Sequence, residues 1–137
     1  MGTWGVGTFD NDTACDWKYD LESADDLSLV AETFGAVLVA GDDYLDSDAA
    51  CNGLAACEVV ARLKGNWGPR NSYTESLDKW VMDHPQSPPD DVVRDAIAVI
   101  DRVLTQPSEL VALWEDNADF NAAWKESVKD LRQRVAA

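Results

Sequence analysis

The sequence predicts an all-α fold, a single-domain bundle of about five to seven helices with a short extended N-terminal arm. Three observations carry this. Apolar residues recur at helical spacing through nearly the whole chain, and no alternating strand pattern of useful length interrupts them. The chain has 137 residues, 46% of them apolar, which suits one core. No internal repeat, low-complexity tract or long linker divides it, so residues 1–137 read as one helical domain.

The elements follow in order. Ala14, Trp17 and Leu21 share one face of a first helix, with Phe9 just upstream and Asp10 or Asn11 placed as its N-cap. A second helix runs from about Asp25 to Ala40, with Leu27, Val30, Phe34, Val37 and Leu38 on its apolar face and Gly41 as its stop. A third covers about Asp46 to Lys64 and ends at Gly65. It is rich in Ala and Gly, whose small side chains let other backbones approach, and this places it in the middle of the bundle. The segment NWGPRNS, residues 66–72, reads as a loop.

A short fourth helix near Glu75 to Met82 carries Leu77, Trp80 and Val81, and the Pro-rich HPQSPP breaks it. The fifth starts at Pro89 or Asp90 and carries a stripe of Val92, Val93, Ala96, Ile97, Ile100, Val103 and Leu104. After Pro107, Leu110, Val111, Leu113 and Trp114 form one short helix. Following a break near Asn117, Phe120, Trp124, Val128, Leu131 and Val135 form a longer one.

Charge narrows the functional classes. The formal net charge is -15, from 26 acids and 11 bases. That excludes nucleic acid as an expected partner, because phosphate binding needs a basic footprint. It excludes an anionic membrane surface for the same reason. It permits a basic protein, a cation or simple solubility. The acids are unevenly spread: residues 1–58 hold 13 acids and one base, Lys18, whereas residues 59–137 hold 13 acids and 10 bases.

No basic and apolar leader opens the chain, and no apolar run approaches the roughly 18 residues of a membrane span. The three cysteines are an odd number with no C-x-x-C spacing. A cytoplasmic protein with small buried thiols is expected.

The opening, Trp4 to Trp17, reads W-G-V-G-T-F-D-N-D-T-A-C-D-W. It resembles the signature of a bacterial family of small uncharacterised proteins, the domain-of-unknown-function family 4259. The carrying residues are Trp4, Gly5, Gly7, Phe9, Asp10, Asn11, Asp12 and Trp17. Residues 49–65, AACNGLAACEVVARLKG, are similar to the family's Ala-rich helix, and residues 108–116, SELVALWED, to its Glu-Leu…Leu-Trp segment. The resemblance implies a bacterial, stand-alone, single-domain protein. It implies no catalytic residue, since the family has no assigned activity.

The candidate site rests on acids. Asp12, Asp16 and Asp20 are four apart and share one helix face, opposite Trp17 and Leu21. Asp42, Asp43, Asp46 and Asp48 follow in GDDYLDSD. Neither stretch fits a calcium loop. After Asp10, Ala14 fills the fifth position and Cys15 stands where Gly is needed; after Asp42, Tyr44 is third and Ser47 sixth. Asp25, Asp26, Asp46, Asp48, Asp90, Asp91 and Asp119 fall at expected helix starts, where caps and the helix dipole favour them. Trp4, with Gly5 and Gly7, reads as a plug pressing the arm onto the bundle. Trp80, Trp114 and Trp124 read as core; Trp67 is the tryptophan most open to solvent by its loop position, yet a side chain folded back onto the core is the favoured reading.

Catalytic chemistry finds little support. His84 is the only histidine, there is no Gly-rich phosphate loop, and the acids around the thiols raise their pKa. The expectation is therefore a non-enzymatic protein with no cofactor and no metal ligands. Asp12, Asp16, Asp20, Asp42, Asp43, Asp46 and Asp48 would face a basic protein partner, as in an immunity or inhibitor protein. Two alternatives stand beside it. One is a divalent-cation binder with a composite site joining Asp12 or Asp16 to Asp42 or Asp43. The other is a structural bundle that self-associates through an apolar face.

Overall fold

The computed structural model describes residues 8, 11–115 and 118–137. Within them the chain forms α1 (Asp12–Glu22), α2 (Ser28–Leu38), α3 (Ser47–Leu63), α4 (Glu75–Asp83), α5 (Asp90–Val103), α6 (Glu109–Glu115) and α7 (Ala118–Ala136). No strand occurs among the described residues; Leu45 and Ser108 make one isolated parallel bridge. The all-α, single-domain expectation holds. Trp4, Gly5, Gly7, Phe9 and Asp10, and with them nearly all of the expected arm, lie outside the described residues, as does Asn117.

The third helix is the axis of the bundle. Every residue from Gly53 to Arg62 is buried, because α3 is packed by α1, α2, α4, α5, α6 and α7. Its small residues make this possible. A Cβ on Gly53 would sit 2.8 Å from Val37 Cγ2 and 2.9 Å from Val99 Cγ1. The glycine lets α2 and α5 close on α3 from two directions. Around it, Leu21, Phe34, Leu77, Ile100 and Leu131 fill one core.

Caps set the helix starts. Asn11 caps α1 by accepting from the Ala14 amide at 2.8 Å, and Asp46 caps α3 by accepting from the Ala49 amide at 2.7 Å. The second helix begins at Ser28, later than Asp25. The Asp26 carboxylate accepts from the Ser28 amide at 2.9 Å, and this closes a turn that keeps Asp25 and Asp26 outside the helix. The same bond, with a second from the Ser28 side chain, holds the Asp26 carboxyl below its usual pKa.

Two expected apolar faces are less buried than their spacing suggests. Leu113 and Phe120 are exposed, and Trp114 is half-buried, its ring tilted against that of Phe120 with centroids 5.9 Å apart. The short α6 packs mainly against α7, and only Leu110 and Val111 reach the core. Trp80 and Trp124 are buried as expected.

Candidate functional site

The first helix separates its acids from its core residues. Ala14, Trp17, Lys18 and Leu21 are buried, and Trp17 Nε1 donates to Thr33 Oγ1 at 2.9 Å, tying α1 to α2. This fixes the roll of the helix, so Asp12, Asp16 and Asp20 all face solvent. Lys18, the only base of the first 58 residues, does not oppose them. It is 8% exposed, and its ammonium donates to the Tyr73 carbonyl before α4.

A shallow groove of ≈ 260 Å³ runs between α1 and α3, lined by Thr13, Asp16, Trp17, Asp20, Asp48 and Asn52. Thr13 Oγ1 donates to Asp48 Oδ1 at 3.1 Å across it. The acid that joins α1 from the far side is therefore Asp48, where the sequence pointed to Asp42 or Asp43. Asp46 is occupied as the cap of α3.

Asp42 and Asp43 lie on a separate turn held by Arg102. That guanidinium, from α5, donates to the carbonyls of Gly41, Asp43, Thr105 and Pro107. Among the described residues no ion pair involves Asp12, Asp16, Asp20, Asp42, Asp43, Asp46 or Asp48. No group of three or more His, Cys, Asp or Glu among them is placed to hold a metal ion.

A second charged feature is buried, and the sequence reading missed it. Glu58 and Arg62, one turn apart on α3, form an ion pair inside the protein. Arg62 Nε donates to Asp78 Oδ1 of α4 at 2.8 Å, and Nη2 to the Pro69 carbonyl at 2.8 Å. From α7, Arg134 grips both oxygens of Glu58, at 2.8 and 3.2 Å. Thr8 donates to Glu58 Oε2 at 3.1 Å, and Thr74 to Asp78 Oδ2 at 2.9 Å.

The ion cluster is thus internally paired, as buried charges must be. Burial alone would lower the Arg134 pKa; Glu58 and Asp130 outweigh that and raise it. The one available signal was a Glu and an Arg at i, i+4 inside the Ala-rich helix expected at the centre of the bundle. Their other partners lie far away in sequence.

The NWGPR segment closes over this cluster. A Cβ on Gly68 would fall 2.6 Å from Arg134 Nη1, so glycine lets the backbone lie against the guanidinium without displacing it. Trp67 is half-buried, with Arg70 Cζ 4.7 Å and Arg62 Cζ 5.8 Å from its ring centre.

The nucleophile and base candidates are committed elsewhere. His84 Nδ1 lies 2.8 Å from the Trp80 carbonyl, and its ring stacks on Trp80 at 4.4 Å. Burial, with Asp48, Glu109 and Asp46, pushes the Cys51 thiol up to about 12. Burial, with Glu58, pushes Cys57 well above its usual value, and its thiol donates to the Ala96 carbonyl at 3.4 Å. The three cysteines form no disulfide.

The model of the family described as Domain of unknown function (DUF4259) matches residues 2–127. No curated protein and no solved structure matches the chain.

Proposed function

The chain belongs to the DUF4259 family, and from that premise we propose that it is a non-enzymatic binding protein whose exposed acids meet a basic protein partner in the cytoplasm. The observation that carries this reading is the α1 face. Asp12, Asp16 and Asp20 face solvent with no ion pair among the described residues, and the one nearby base in sequence, Lys18, is turned inward. Asp48 extends that face across the groove to α3.

Like charges four residues apart cost an isolated helix about 0.2–0.5 kcal/mol per pair. A packed domain tolerates that cost, and a cationic partner would remove it. Such a surface accelerates encounter with a basic protein and makes it salt-dependent. An immunity or inhibitor protein that masks the basic cleft of a nucleic-acid-cutting toxin is one form this would take. The raised thiols and the engaged histidine support a role without catalysis.

The kinetics of a partner isolated with the protein test the reading. Its association rate should fall as salt is raised, and should be slower for an Asp12→Asn, Asp16→Asn, Asp20→Asn triple variant at low salt. A rate indifferent to both salt and variant contradicts it.

A further inference from the structure

The buried ion cluster does more than join helices. It forms the floor of a cleft of ≈ 470 Å³ between α3, the segment before α4, and α7. That volume lies within the ordinary range of small-molecule pockets. Charges packed purely to hold helices together are no better than apolar residues of the same size, and often worse. Charges at the base of an open cleft instead set the chemistry of what can enter it.

The chemistry of that ligand follows from how the charges are paired. Glu58 is compensated by Arg62 and Arg134, and Arg134 is compensated again by Asp130, whose Oδ2 accepts from Nε at 2.8 Å. An anion entering the cleft meets Asp130 and Glu126, and a cation meets two guanidinium groups. On the floor neither finds an unpaired counter-charge; Glu126 lines the cleft without an ion pair among the described residues, and methylammonium is the control for a cation drawn to it.

Hydrogen-bonding capacity, by contrast, is left over. A guanidinium has five N–H donors, and among the described residues Arg134 uses three, on Asp130 and Glu58. Glu58 holds it from behind with both oxygens, so its orientation is set before any ligand arrives. Beside it Asp130 is exposed, and only its Oδ2 is engaged among the described residues. Ser127 adds a hydroxyl one turn away on α7. A fixed donor beside an acceptor suits a pair of adjacent hydroxyls, one oxygen accepting from Arg134 and the other O–H donating to Asp130.

We propose that the cleft over Glu58 and Arg134 binds a small neutral polyhydroxylated molecule of about monosaccharide size. Arg134 and Asp130 contact it, and Glu58 is a positioning residue. The site is independent of the acidic α1 face.

The test titrates the full chain with glucose, galactose and myo-inositol, with phosphate and methylammonium as charged controls. The Arg134 Nε–H resonance is the readout, since its hydrogen bond to Asp130 lies in the cleft. At least one neutral polyol should give a saturable change that neither charged control gives. Affinity should fall about tenfold or more in Asp130→Asn and in Ser127→Phe, the second of which blocks the cleft without removing a charge. Asp130 is exposed and Ser127 half-buried, so each variant should still unfold in one cooperative melt, and binding is compared only between folded proteins. No saturable response to any neutral polyol, a response to phosphate alone, or equal binding by both folded variants would overturn the proposal.

Discussion

Arg134 reaches Glu58 across 76 positions of chain and grips both carboxylate oxygens, at 2.8 and 3.2 Å. The pair fastens the last helix to the central one inside the protein. Removing Glu58 would leave two guanidinium groups buried without their shared counter-charge. Glu58→Ala should therefore destabilise the fold by about 3–5 kcal/mol, the usual cost of breaking a buried ion pair. A urea titration should show a lower midpoint with the slope unchanged.

Gly68 depends on the same arginine. The end of an arginine normally swings aside for a new methyl group, but here it is held by Glu58 and Asp130. Gly68→Ala should cost about 1–3 kcal/mol by displacing the guanidinium or lifting the segment. Thermal melting should report the loss, and Trp67 fluorescence should move with it.

Gly53→Ala sets two effects against each other. Alanine favours a helix interior over glycine by about 1 kcal/mol. Against that, the new methyl would meet Val37 and Val99 at 2.8 and 2.9 Å, on two different helices. Those side chains are branched and fully buried, so overpacking of about 1–3 kcal/mol wins. The variant should melt below the wild type, whereas a stabilised variant would mean that α2 and α5 can yield.

The helices and their caps were legible because their causes are local. Asn11 and Asp46 sit just ahead of periodic apolar runs and cap them, and the small residues of α3 signalled its central place. The start of α2 was misplaced because one hydrogen bond from Ser28 to Asp26 competes with the helix, and spacing does not reveal it. The exposed acids of α1 followed from periodicity alone. The buried ion cluster did not, since Asp78 and Arg134 meet Arg62 and Glu58 only through tertiary packing. Asp48, not Asp42 or Asp43, joins the α1 groove because Arg102 holds the intervening turn elsewhere.

The thiols predict a pH dependence. Cys51 rises from a usual 9.0 to about 12 in the folded protein. Between those values the native state holds the proton that the unfolded state has lost, so stability must fall as pH rises. Cys57 acts in the same direction. Denaturation midpoints should decline from about pH 9 upward. At pH 8, iodoacetamide should leave Cys51 and Cys57 unmodified until the protein unfolds.

The most direct measurement of the binding role is affinity capture from the native host's lysate at low and moderate salt. Wild-type protein is run beside the Asp12→Asn, Asp16→Asn, Asp20→Asn variant. All three positions are exposed, so the variant should keep the wild-type fold. A basic protein held by the wild type at low salt, weakened at moderate salt and lost by the variant is the expected result. The same proteins on both baits, at both salt concentrations, would contradict a binding role for the acidic face.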